Sequence, residues 1–423
     1  MTSTVTTAAV LRADAVTETA AVVAPYGDGP YPRVFERHGW RTVAVVPERR
    51  LRPLAYQDVL VSHGCTSTLI HRGVRVTVKA LRALGASAVL AGSAAGIDWA
   101  ERIAWRLDLP GNDPATSLLR YDRGAQAGRL AREGIPALRG VRTSSLAEAV
   151  AFTKVCPMAR YVLAPAVAGT PVEAVVCENE LQISAAWSAM KRSAARYSSS
   201  AHLVLSEPHA LCQYTVHTAT RLRADGRPEH TVTDVWAQTR TAVGHLDRTD
   251  LLPADGLLTR ALSRYTQRAL DALGVVCGPV TCQLAYAMDE EAAGHGPLLI
   301  SALAVPAATP ADDALRVARG RDRVTEALDM WIPPFPALVH AAGEQHVVRV
   351  HLAPGTGITS WAERLLRALP TVVAVNQPRR PVGHGTLLPA EAVLSSSDPG
   401  AIERDYRVIR ALERAAPVLR DPF

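Results

Sequence analysis

Leu109-Pro-Gly-Asn-Asp-Pro114, Arg120-Tyr-Asp-Arg123, Gly134-Ile-Pro136 and Tyr161-Val-Leu-Ala-Pro165 follow one another between residues 109 and 165. Asn112–Ser117 combines a turn with a helix cap, and a helix is expected from there to about Glu133. Gly134 and Pro136 stop it, and a strand is expected near Ala137–Val141. A helix over Ser145–Lys154, strands at Arg160–Ala164 and Val172–Cys177, and a helix from Glu180 to about Arg192 complete a small α+β unit.

Upstream, short apolar runs alternate with helical stretches. Ala21–Ala24, Thr42–Val46 and Ala88–Ala91 read as buried strands. Pro32–Gly39, Val76–Leu84 and Ile97–Leu107 read as helices between and after them. That alternation predicts a parallel α/β unit. Downstream the β character rises. His202–Leu205, Gln213–Leu222 and His230–Ala237 are expected to be strands of one antiparallel sheet. A helix over Leu257–Leu273, strands at Val280–Ala287, Pro297–Leu303 and His346–Leu352, and a closing helix over Ile402–Ala415 follow. The expected fold class is α/β and α+β, without internal repeats.

The chain has 423 residues, with 48% hydrophobic and 20% charged residues, which excludes wholesale disorder. The net charge of +6 is spread thinly, with no block of five basic residues, so a nucleic-acid partner has little support. Lys79, Lys154 and Lys191 are the only lysines, and chemistry that needs a lysine amine is restricted to them. Six cysteines show neither a C-x-x-C pair nor zinc spacing, which suits a reduced, cytoplasmic protein with packed thiols. No apolar run is long enough to span a membrane, and residues 1–20 read as a flexible tail rather than a signal peptide.

The G-x-S-x-G, H-E-x-x-H, Walker A and dinucleotide-binding signatures are all missing. Gly27-Asp-Gly29, Gly355-Thr-Gly357 and His384 read as turns. The ordered series opened on above, continued by Leu205-Ser-Glu207, Gln213-Tyr214, Thr233-Asp-Val-Trp236, Leu252-Pro-Ala-Asp255 and Ile402-Glu-Arg-Asp-Tyr406, resembles the ATP-grasp superfamily, carboxylate–amine ligase branch. The resemblance covers roughly residues 21–415. It implies an N-terminal pre-ATP-grasp α/β domain at 21–112, a small lid subdomain at 113–202 and a large subdomain with a C-terminal extension at 203–423.

It also implies ATP and magnesium as cofactors, bound between the two α+β subdomains, and small-molecule carboxylate and amine substrates joined through an acyl phosphate. Several positions depart from the family pattern. The family's first lysine falls on Arg123, a planar fork in place of a point charge. The second falls on Ala164. The phosphate-covering loop reads Val167-Ala-Gly-Thr-Pro-Val-Glu173, with one glycine and a central proline. The two metal carboxylates fall on Gln283 and Ser301, which offer neutral oxygens, so the metal ligands are expected to be none. Asp289, Glu290 and Glu291 either tip a solvated hairpin or reach inward. Glu207 fits the family's acidic residue beside the ribose or a solvent-facing loop carboxylate. Arg123 and Glu207 are thus the nucleotide candidates, and Arg240 the catalytic one, placed to meet a phosphate or a carboxylate.

Two functions follow from the resemblance. One is an ATP-dependent ligase with a rearranged site. The other is an inactive homologue that serves as partner or scaffold of an active enzyme, or uses its cleft for different chemistry. A homodimer or association with another biosynthetic enzyme is expected under either.

Overall fold

The computed structural model describes residues 18–26, 31–57, 64–170, 172–198, 200–208, 213–241, 245–286, 296–305, 345–352, 358–377 and 390–415, with Leu315, Thr325, Leu328 and Trp331 singly. The expectations for residues 1–17, Gly27–Pro30, Cys212, Asp289–Glu291, Gly355–Gly357 and His384 lie outside the described residues. Among the described residues three sheets form.

The first is parallel, in the order β3-β2-β1-β4. It contains β1 (Thr19–Val23), β2 (Arg41–Pro47), β3 (Ser67–His71) and β4 (Ala86–Ala91). Alternate residues of β1 feed opposite faces. Ala20 and Val22 pack against Tyr31, Val34 and Phe35 of α1 (Tyr31–Arg37). Ala21 and Val23 pack with Val78 and Leu81 of α2 (Val74–Ala83) and Ile103 of α3 (Ile97–Leu107). Burial on both faces explains the unbroken apolar runs of β1, β2 and β4. β1 begins at Thr19, inside the stretch expected to be tail.

A kinked helical turn at Pro114–Arg120 leads into α4 (Arg123–Arg132) and then the small antiparallel sheet, ordered β5-β8-β6-β7. Its strands are β5 (Gly140–Thr143), β6 (Tyr161–Pro165), β7 (Val175–Cys177) and β8 (Leu203–Ser206). The helices α5 (Leu146–Val155) and α6 (Glu180–Ala195) cover one face, where Leu163, Leu203 and Leu205 meet Ile183 and Trp187. This corrects the expectation for residues 202–205: the strand belongs to the small sheet, pairing with β5 and β6, because its leucines pack on α6.

The third sheet is antiparallel, in the order β13-β12-β9-β10-β11-β14-β16-β15. Its strands in chain order are β9 (Gln213–Leu222), β10 (Pro228–Arg240), β11 (Leu246–Leu251), β12 (Gly278–Ala285), β13 (Leu298–Leu303), β14 (His346–His351), β15 (Val372–Asn376) and β16 (Glu391–Ser396). On one face Tyr214, Val216, Val235, Val280 and Cys282 pack on α7 (Leu257–Ala272). The C-terminal strands extend this same sheet, and α8 (Ser360–Arg367) and α9 (Pro399–Ala415) cover them through Leu366, Ile402 and Ile409. Among the described residues no helix is long and apolar enough to cross a membrane, and Cys65, Cys156, Cys177, Cys277 and Cys282 form no disulfide with one another.

The residues quoted first form the joint between the units. Asn112 Oδ1 accepts from Val276 N and Cys277 N at 2.8 and 3.1 Å, and its Nδ2 donates to Cys277 O. Arg120, with its side chain wholly out of solvent, donates to Glu101 of α3, to Leu273 O behind α7, and to Asp113 O. Gln126 of α4 bridges Leu119 O and both the N–H and C=O of Ala302 in β13. Each buried charge and amide therefore finds partners in another unit.

A second buried polar group ties β14 to β16. Arg349 Nη2 donates to both oxygens of Glu391 at 2.7 and 2.8 Å, and His351 Nδ1 lies 3.3 Å from Glu391 Oε1. Burial alone would raise the Glu391 carboxyl, but the bond to His351 and the charge of Arg349 outweigh it and hold it at about 2. Burial lowers His351. Both groups bind protons less readily folded than unfolded, so their stabilisation is present at neutral pH and is lost as pH falls. The loss begins below the ordinary histidine value of 6.5 and continues from 4.5 to about 2 for Glu391. Glu391→Gln is expected to flatten the acid limb of a urea-midpoint profile and to cost about 3 kcal/mol at neutral pH. An acid limb unchanged by the substitution would refute the pairing.

Candidate functional site

A cavity of about 220 Å³ opens between the uncovered faces of the small and large sheets, with the first turn of α4 at its end. The helix starts there because Asp122, fully buried, caps it by accepting from Ala125 N at 2.9 Å. The other Asp122 oxygen accepts from Arg142 Nε of β5 at 2.8 Å. Arg123, the next residue, donates its N–H to Ala166 O and its Nη1 to Pro165 O, at 2.8 and 3.1 Å. Its Nε is out of solvent with no acceptor. Burial pulls the Arg123 guanidinium down to about 10, against the opposing charge of Asp122.

The small sheet lines the cavity with Val162, Ala164, Val204 and Ser206. The large sheet contributes Gln213, Arg240 and Gln283. Strand alternation explains this set: Tyr214 and Cys282 face α7, so Gln213 and Gln283 face the other way. A register shift beside Gln283 lets both Leu299 and Ile300 reach the cavity. Arg240, exposed at the end of β10, donates to Gln213 Oε1 at 3.3 Å.

Of the residues singled out in the sequence, Arg123, Ala164, Arg240 and Gln283 therefore line one cavity. Ser301 lies behind Gln283, 4% exposed, and donates to its Oε1 at 3.1 Å. Glu207 is engaged elsewhere: it accepts from Arg139 N and Arg139 Nε, both at 2.8 Å, and its own N–H donates to Arg139 O. Its neighbour Ser206 is the one that lines the cavity. The loop after β6 begins packed against the protein. Ala166, Val167 and Ala168 are buried, Ala166 N donates to His202 O, and Ala168 N donates to Tyr121 O. Gly169 sits at φ +71°, where a Cβ would come within 2.6 Å of Leu303 Cδ2. Gln213, Ser206, Gly124 and Ile300 were not singled out as site residues; alternation along β9 was the available signal for Gln213.

No protein-family model and no curated protein matches the sequence. Solved structures do match. An L-amino acid ligase from Bacillus licheniformis superposes with a TM-score of 0.67 at 12% identity, over 93% of this chain and 97% of that one. A carboxyaminoimidazole ribonucleotide synthase from Aspergillus clavatus, complexed with ATP, gives 0.66 at 10% identity, over 95% and 99%. The biotin carboxylase domain of a 2-oxoglutarate carboxylase from Hydrogenobacter thermophilus, in complex with MgADP, ADP and bicarbonate, gives 0.58 at 14% identity, over 91% and 88%. The chain has the ATP-grasp fold.

The resemblance read in the sequence expects magnesium at Gln283 and Ser301, and the residues present do not fit it. Magnesium takes hard, anionic oxygens, whereas these two side chains are neutral and hydrogen-bonded to each other. Among the described residues no cluster of three acidic, His or Cys side chains is placed to hold a metal ion.

Proposed function

We propose that the cavity between the two sheets is an adenine-nucleotide site. On this reading the protein is ligase-like, of the kind that joins a small carboxylate to an amine through an acyl phosphate, with altered phosphate and metal groups. The observation that carries the proposal is Arg123: a guanidinium held at the mouth of α4, with a buried, unpartnered Nε, in a cavity whose other end is apolar. A buried cation without a carboxylate of its own is stabilised by an arriving anion, and phosphate oxygens suit a guanidinium fork. The apolar walls at Val162, Ala164 and Val204 suit a purine ring. The ADP and ATP complexes of the similar structures support the same ligand.

Thermal unfolding of the full chain with ADP tests this. Saturation at a hundred times Kd is expected to stabilise the protein by about 2.7 kcal/mol. Arg123→Met is expected to weaken ADP binding about tenfold to a hundredfold, the range for a lost charge-assisted bond. Absence of any shift with ADP or ATP would overturn the proposal.

Ala164, Gln283 and Ser301 favour a second reading, in which the nucleotide is held without turnover and the protein serves as partner or scaffold. ADP release from ATP with mixed amino acids separates the two: sustained release supports the ligase, and binding without release supports the scaffold.

A further inference from the structure

We infer that this cleft holds its nucleotide with arginine in place of a divalent metal ion. The inference rests on the nucleotide reading above and concerns how the same site neutralises phosphate.

The donor set carries it. Gln283 presents a neutral amide to the cavity, and Ser301 donates to that amide's oxygen at 3.1 Å. Among the described residues the cavity is lined by two guanidiniums, Arg123 and Arg240, and by no carboxylate. The nearest acidic neighbour in sequence, Asp122, has one oxygen on the α4 cap and the other on Arg142. Both its oxygens are engaged and the group is fully buried, outside the lining of the cavity. A magnesium ion brought beside these guanidiniums would meet like charge with no anionic ligand among the described residues of the lining to offset it. A polyphosphate meets the reverse situation. Arg123 has a donor nitrogen out of solvent with no acceptor, and burial destabilises its charge while the cleft is empty of anions. Phosphate oxygens beside the part of Arg123 that lines the cavity offset that penalty, and Arg240 at the rim adds a second cation. Complexing the phosphate with magnesium first removes part of the charge that the guanidiniums attract.

The test is calorimetric titration of the full chain with ADP and with ATP, once in EDTA and once in excess MgCl2. The expected Kd in EDTA is equal to that in magnesium or tighter, within about threefold. Binding at least about tenfold tighter with magnesium would overturn the inference while leaving the nucleotide site standing. It would direct attention to Asp289, Glu290 and Glu291. Failure to bind under either condition would overturn the nucleotide reading and this inference with it. Two variants give independent readouts. Arg240→Gln, at an exposed position that leaves the core intact, is expected to weaken binding about tenfold in EDTA. The double variant Gln283→Glu with Ser301→Asp is expected to lose about tenfold in EDTA and to recover on adding magnesium. Unchanged affinity in both variants would contradict the role given to the arginines.

Discussion

Arg120→Met is expected to lower the stability of the protein by about 4 kcal/mol, the largest effect of any single polar substitution considered. The side chain is wholly buried and bonds Glu101 at 3.0 Å, Leu273 O at 2.8 Å and Asp113 O at 2.6 Å. Its loss leaves the Glu101 carboxylate, 7% exposed, with only the Ser117 hydroxyl and no cation, and leaves two carbonyls without this donor. Methionine fills much of the volume, so the cost reports the lost bonds more than a cavity. The joint couples the parallel sheet to the large antiparallel one. Urea unfolding of the variant is therefore expected to split into two transitions as the N-terminal unit uncouples. Adding Glu101→Leu should return part of the stability by removing the unpaired charge. A single, unshifted transition in Arg120→Met would show that the units are held together by something else.

Gly124→Val is the second large expectation, and it reads on the site as well as on stability. A Cβ at Gly124 would lie 2.4 Å from Arg142 Cβ, which the backbone of β5 fixes in place. The first turn of α4 must then move off the small sheet, breaking the 2.8 Å bond between Arg142 and Asp122 and shifting Arg123. The expected cost is about 3 kcal/mol, the upper range for overpacking. ADP binding is expected to weaken about a hundredfold, the scale of loss for an ångström of misplacement. Gly128, one turn further along α4, has no atom within 4 Å of its would-be Cβ. Gly128→Ala is accordingly expected to stabilise by about 0.5–1 kcal/mol without weakening ADP binding. Equal effects at the two glycines would refute the steric account.

The elements most legible in the sequence are those buried on both faces or along one stripe. β1, β2 and β4 read as continuous apolar runs because helices cover both sides of their sheet, and α3 was bounded correctly at Ile97–Leu107. β3, β11, β15 and β16 are not anticipated by the sequence reading; β3 and β15 are edge strands with exposed positions, which weaken the strand pattern, whereas β11 and β16 are interior strands whose short mixed runs carry no clear alternation. β8 was recognised as a strand and assigned to the wrong sheet. Leu203 and Leu205 alternate identically whether they face α6 or α7, so nothing local distinguishes the two. At the site, Arg123, Ala164, Arg240 and Gln283 were legible through the order of motifs. Glu207 looks equally suited to a ligand in sequence, but the structure bonds it to Arg139, a residue separated from it by 68 positions.

The stretch from Leu109 to Pro165 therefore carries two kinds of information. The sequence by itself determined the main buried strands and amphipathic helices, and that lysine and carboxylates are missing where the family pattern has them. Those are local properties: periodicity, caps, breakers and the chemistry of single side chains. Only the tertiary structure decided that Asn112 and Arg120 are joints rather than ligand groups, since their partners are the backbone at Val276, Cys277 and Leu273. It also decided that Arg123 has a buried donor without an acceptor, and that Gln283 and Ser301 bond each other. Partnership and burial arise from chain segments well separated in sequence closing on one another, over 150 residues apart for Asn112 and Arg120, and no local pattern encodes which of them will meet.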